Sequence, residues 1–200
     1  MRLHLGSVPD DFSPDGSWRA IREPAVGRLH VLALPIGFGA ALLTWYCWRL
    51  VGGVGSFQFH GGLGLLGMVL SLPVLIVVHE LLHALVHPQF GCSRSTVLGV
   101  WPSRLICYAH YSGPLDRNRL LLVLAMPFLV VTVVPLALAG TAVLPPGLTM
   151  WAAWFSTWNA LCACGDYVGV ALIWYQVPPT ATVQNRGWWT HWRAGDDHAA

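Results

Sequence analysis

Two histidines and a glutamate sit together in an otherwise apolar run, Val77-Val78-His79-Glu80-Leu81-Leu82-His83-Ala84-Leu85-Val86. On a helix, residues four apart share a face, so the imidazoles of His79 and His83 can meet one metal ion. Glu80, one position on, can reach a water at that metal and accept its proton. This is the His-Glu-x-x-His pattern, in which the histidines bind zinc and the glutamate serves as general base. The bland alternative is a pair of histidines packed in a helical bundle. Against it, ionisable residues inside a membrane span are rare and mostly functional. The chain has only two glutamates, and one of them falls inside this pattern. Metal binding is the stronger reading.

Catalytic zinc usually takes three protein ligands and keeps a position for water. Outside the motif, the acidic residue that lies within an apolar stretch is Asp166, in Trp158-Asn159-Ala160-Leu161-Cys162-Ala163-Cys164-Gly165-Asp166. If the second and fourth apolar stretches are helices entering from the outer side, His79 lies ~24 Å and Asp166 ~27 Å along them, at about 1.5 Å per residue. The depths match, and a metal accounts for a carboxylate that would otherwise be costly to bury. Asp166 is the expected third ligand. Asn159, seven residues earlier, projects from nearly the same face and could bond substrate backbone or orient a ligand. A polar contact between helices explains it equally well. Cys162 shares that stripe, but aspartate suits a hydrolytic site better than thiolate. His87 is followed by Pro88, so it is expected at the helix end, solvated or capping, at headgroup level. His60 and His110 fall in loops with no identifiable partner.

These residues need elements to hold them. Of the 200 residues 55% are hydrophobic and 10% charged, with a mean hydropathy of +0.56. Soluble domains carry roughly a quarter charged residues, so this composition points to an integral membrane protein. All 11 basic residues are arginine, the net charge is +2, and no cluster tracks a phosphate backbone. No nucleic acid partner is expected. Five cysteines, three of them inside apolar runs, do not make a secreted disulfide framework. Some 27 residues rich in Asp, Pro, Gly and Arg precede the first apolar run, unlike a signal peptide.

Four stretches are long enough to cross a bilayer as helices: Leu29–Leu50, Gly62–Val86, Leu120–Leu144 and Leu148–Tyr175. Pro35, Pro73, Pro127 and Pro135 inside them predict kinks or loosened turns. Arginines crowd the N-terminal segment, the second loop and the tail, which puts both termini and that loop in the cytoplasm. The second loop, Pro88–Asn118, holds two extended-looking patches, Thr96–Trp101 and Leu105–Tyr111, that could pair as a β-hairpin or remain irregular. Trp188, Trp189 and Trp192 are expected at the membrane interface. The fold class is therefore an all-α membrane protein of four transmembrane helices, with a possible small hairpin between helices 2 and 3. It divides into a cytoplasmic segment 1–27, a membrane domain 28–176 and a cytoplasmic tail 177–200.

The pair of motifs resembles the site-2 protease class of intramembrane metalloproteases. More closely, it is similar to a family of small bacterial membrane proteins described as putative zincin peptidases. The resemblance covers approximately Leu72 to Gly169. It rests on His79-Glu80-Leu81-Leu82-His83, Gly113-Pro114-Leu115, Leu124-Ala125-Met126-Pro127-Phe128, and Asn159 with Gly165-Asp166. It implies a bacterial cell membrane protein in which His79, His83 and Asp166 bind zinc (Zn2+) and Glu80 is the general base. The chain departs from the longer site-2 proteases in having no Asn-Pro-x-Pro-type run, no Leu-Asp-Gly and no room for a PDZ domain. The expected activity is hydrolysis of peptide bonds near the cytoplasmic face, in membrane or membrane-associated protein substrates. A non-catalytic metal-binding scaffold or interaction protein is the alternative. A metal transporter ranks last, because the outer halves of the spans offer almost no ligands.

Overall fold

Long uninterrupted runs of Leu, Val, Ile and Ala satisfy their own backbone groups as helices. The structure is a computed structural model describing residues 1–57, 61–141 and 143–195. Helix α1 spans Val26–Val51 and α2 spans Gly61–Val86, 26 residues each. The third apolar stretch starts at Arg117 as α3 (Arg117–Phe128), passes through one π-helical turn (Leu129–Val133) and ends as α4 (Val134–Ala139). It stops at Ala139, short of Leu144, where Gly140 caps the helix. Among the described residues, three helical stretches, Val26–Val51, Gly64–Val86 and Arg117–Ala139, are long and apolar enough to cross a membrane. Their outward side chains, among them Leu43, Leu70, Val77 and Val134, are left uncovered, as lipid-facing residues are. Pro35 and Pro73 sit inside continuous helices, whereas the π turn lies between Pro127 and Pro135.

The expected fourth span is not one helix. It is α5 (Pro146–Cys162) followed by α6 (Cys164–Gln176), interrupted at Ala163 with φ −70° and ψ 9°. Neither half has the roughly 20 residues a span needs. Two contacts account for the break. The Tyr167 hydroxyl donates to the Ala160 carbonyl at 3.0 Å, satisfying a group the break would strand. Helix α1 also crosses at Gly37, where an added Cβ would lie 2.7 Å from Cys164 Cβ and 2.8 Å from the Leu161 carbonyl oxygen. A glycine there lets α1 reach the backbone of the break itself.

The all-α expectation is corrected by seven strands in two sheets among the described residues. Strands β1 (Arg2–Leu5), β3 (Thr96–Trp101) and β4 (Ile106–Tyr111) form one sheet, in the order β1-β3-β4. Strands β3 and β4 pair antiparallel from Thr96↔Tyr111 to Trp101↔Ile106, and β1 lies parallel to β3. The second sheet has the order β2-β7-β6-β5, from β2 (Arg19–Ala20), β7 (Trp189–Arg193), β6 (Thr182–Arg186) and β5 (Leu115–Asp116). Residues 1–27 and 177–195 thus each supply strands. Such pairings join residues far apart in sequence, so no local pattern announces them.

Pairing β1 to β3 and β2 to β7 gathers the N-terminal segment, the second loop and the tail on one side of the helices. The second sheet encloses a small core of Ile21, Ile173, Val177, Ala181 and Val183, against which Trp192 packs. The Arg19 guanidinium lies over the Trp192 ring, 5.5 Å from its centroid. Trp192 is therefore a packing residue and Trp188 lines a cavity, while Trp189 stays exposed.

Candidate metal centre

Helix α2 puts His79 and His83 one turn apart, as their spacing dictates. Their rings meet edge to face, with centroids 4.8 Å apart. The first turn of α6, just past the break, brings in Asp166. His79 Nε2 lies 3.2 Å from Asp166 Oδ2, and His83 Nε2 lies 3.4 Å from Asp166 Oδ1. The two Nε2 atoms are 3.1 Å apart. Among the described residues, His79, His83 and Asp166 are the group whose ligand atoms converge, all within 4.8 Å.

The hydrogen bonds behind these rings fix their tautomers. Asn159 Nδ2 donates to the Pro127 carbonyl at 3.0 Å and to Thr132 Oγ1 at 3.1 Å. Its Oδ1 must then be the acceptor facing His79, whose Nδ1–H donates across 3.0 Å. His83 Nδ1–H donates to the Val123 carbonyl oxygen at 2.7 Å. A neutral imidazole carries one N–H, so each Nε2 presents a lone pair. With both imidazoles neutral, two lone pairs and a carboxylate face each other at hydrogen-bond distance with no donor among them. Asp166 Oδ2 is buried without a hydrogen-bond partner. Such a cluster calls for a cation.

The spacing fits zinc. A tetrahedron with ligand bonds of about 2.0–2.1 Å has edges of roughly 3.3–3.4 Å. The two Nε2 atoms, 3.1 Å apart, are close to such an edge, and each faces one oxygen of Asp166, at 3.2 Å for His79 and 3.4 Å for His83. Two imidazoles and one carboxylate are also a donor set that catalytic zinc takes, with the fourth corner left open. His79, His83 and Asp166 therefore form a possible metal site.

Glu80 is half-buried in a cavity of about 510 Å³ beside this cluster. That volume is in the range of small-molecule and peptide clefts. Ala109 of β4 lines the same cavity as Glu80. The cavity runs from the cluster past β4 to the β6–β7 turn near Trp188, with Glu23 at that end. Thr190 donates to both Glu23 oxygens, through its N–H at 2.6 Å and its hydroxyl at 2.8 Å. Burial pushes the Glu23 carboxyl above its ordinary range, and the two Thr190 bonds oppose that.

Of the residues singled out in the sequence, Asn159 is fully buried and touches His79 directly. Cys162 lines the cavity without joining the converging group. His87 differs from expectation. It is 2% exposed, packs on the Tyr111 ring with centroids 5.5 Å apart, and caps nothing with its side chain. The turn after Pro88 folds the loop back over the helix end, which is what buries it. His110, on β4, is buried with Asp11 Oδ1 3.8 Å away, a partner supplied by the N-terminal segment. His60 lies outside the described residues. Sequence reasoning missed the Val123 carbonyl and Thr132. The first is a backbone group with no side-chain signature.

No curated protein and no solved structure matches the chain. The model of the family described as "Putative zincin peptidase" matches residues 72–182, more than half of the chain, and takes in the motif helix and the Asp166 segment. The chain belongs to that zincin peptidase family.

Proposed function

We propose that the chain is a membrane-embedded zinc metallopeptidase of site-2 protease-like type. It hydrolyses peptide bonds of membrane or membrane-proximal proteins near the cytoplasmic face. In this reading His79, His83 and Asp166 hold the metal, Glu80 is the general base, and Asn159 orients His79. The observation that carries it is the convergence of two imidazole Nε2 atoms, 3.1 Å apart, on the two oxygens of one carboxylate at 3.2 and 3.4 Å. When bound, zinc would supply Lewis-acid activation of a water and of the scissile carbonyl. Glu80 takes one proton from the attacking water as its oxygen bonds to the carbonyl carbon. Glu80 then gives that proton to the leaving nitrogen as the C–N bond breaks, so acid and amine leave together.

A helical substrate hides its amides and must unwind before attack. Strand β4 lies at the edge of its sheet beside Glu80, which supports an extended peptide adding along that edge. Arginine bias supports placing the sheets, and with them both termini, in the cytoplasm.

The test uses purified, folded protein in detergent or bilayers. Wild type should hold one zinc per chain, and Glu80→Gln should keep that zinc while losing cleavage by about a thousandfold or more. The readout is metal analysis together with comparative membrane proteomics of cells carrying Glu80→Gln or wild type. Folded wild type that takes up no zinc sinks the proposal. Unchanged membrane proteomes would point instead to a scaffold.

A further inference from the structure

Helix α3 offers the His83 ring a carbonyl that has lost its intrahelical donor. Inside an α-helix each C=O accepts from the N–H four residues on. Four residues past Val123 stands Pro127, which has no N–H. The Val123 oxygen therefore lacks its intrahelical donor, and His83 Nδ1–H takes the place across 2.7 Å. Pro127 also contributes through its own carbonyl, which accepts Asn159 Nδ2 at 3.0 Å. That bond helps leave Asn159 Oδ1 turned toward His79 Nδ1. One proline thus stands behind both imidazoles from a helix that supplies no ligand.

The same span repeats the device one step away. Four residues past Val131 stands Pro135, and the Val131 oxygen accepts the Ser156 hydroxyl at 2.8 Å. Ser156 bonds to none of the three converging side chains, so this second instance serves helix packing.

We propose that Pro127 is a positioning residue for the metal centre: by withholding a backbone N–H it frees the Val123 carbonyl to hold His83 in the Nδ1–H tautomer, with Nε2 bare toward the cation. This rests on the zinc reading above. Partners of this kind, bonded to the far nitrogen of a ligating histidine, contribute roughly 10–100-fold in metal affinity.

The test substitutes Pro127→Ala, which returns the N–H to position 127, and compares it with Pro135→Ala. Apparent zinc affinity is read by chelator competition, and the stability of the metal-free protein by thermal unfolding in the same detergent. Pro127→Ala should weaken zinc binding at least about tenfold, while the metal-free protein becomes no less stable, because alanine repairs the helix. Pro135→Ala should leave zinc affinity within about threefold. A proline that merely shapes the helix would move stability and zinc affinity in the same direction. Zinc affinity unchanged in Pro127→Ala, or lowered equally in both variants, overturns the proposal. Should Pro127→Ala fail to fold, histidine nitrogen NMR of metal-free wild type still decides it. His83 must report the Nδ1–H tautomer there, and the Nε2–H tautomer overturns the assignment. Wild type that binds no zinc would instead defeat the zinc reading itself, a different outcome from any of these.

Discussion

At the scale of single residues, His79 and His83 share one face of α2, His87 follows directly past its end, and their surroundings separate them. The first two spend their Nδ1–H on fixed acceptors, whereas His87 Nδ1 is buried with no partner. Burial, aided by the neighbouring His83, His110 and Arg119, which disfavour a further positive charge, holds the His87 imidazole at about 4 rather than its ordinary 6.5. Its folded form is therefore neutral, and the folded state binds fewer protons than the unfolded one between those values. Stability from this residue is complete above about pH 6.5 and is lost as pH falls toward 4, by at most about 3 kcal/mol. His110 is displaced in the same direction by burial, with Asp11 opposing it. Unfolding of metal-free protein between pH 7 and 4 should show this loss, and His87→Gln should reduce the slope; an identical slope in the variant rejects the account. What the sequence could show at this scale was uneven. The two motif histidines and Glu80 are local, and Asp166 stood out as an acid in an apolar stretch. The acceptor of His83 was invisible because a backbone carbonyl has no residue type. The burial of His87 was hidden for a related reason: it depends on how the loop folds back after Pro88.

At the scale of elements, the break between α5 and α6 aims Asp166, and α1 braces that break. Cys162-Ala163-Cys164-Gly165 is as apolar as its flanks, so hydropathy carried one stretch through it and predicted a single helix. The interruption depends on a close approach from another helix, at Gly37, which only the tertiary fold reveals. The strands were legible in proportion to their locality. The β3 and β4 segments could be read as extended from their Val, Ile and Tyr content, while β1, β2, β6 and β7 become strands by pairing with partners distant in the chain. The brace can be tested without touching any ligand. Gly37→Val should cost about 1–3 kcal/mol through overpacking, and should lower zinc occupancy by shifting Cys164, two residues before Asp166. Gly39→Val is the matched comparison, since a Cβ there meets nothing within 4 Å. Equal zinc content and equal thermal stability in the two variants would show that α1 does not position the break.

At the scale of the whole molecule, the helices and the sheets divide the chain into an apolar slab and a polar cap. The metal cluster lies where they meet: α2 carries His79 and His83 in its last two turns, and β4 of the cap lines the cavity that holds Glu80. The geometry alone puts the N-terminal segment, the second loop and the tail on one side, because their strands share sheets. Charge then orients the cap, with Arg2, Arg19, Arg22, Arg94, Arg104, Arg186 and Arg193 all belonging to it. These two arguments are independent and lead to one measurable arrangement. In a background with the five native cysteines replaced by alanine, Ser17→Cys reports the cap and Gly147→Cys reports the opposite end, at the start of α5. Both positions are exposed, and an added Cβ at Gly147 meets nothing. A membrane-impermeant thiol reagent applied to intact cells should modify Gly147→Cys and leave Ser17→Cys untouched until the cells are opened. Labelling of Ser17→Cys in intact cells with protection of Gly147→Cys would turn the molecule over and put the site at the outer face. Labelling of both at equal rates in intact cells would contradict the slab itself, because no bilayer would then separate the cap from the far end of the helices.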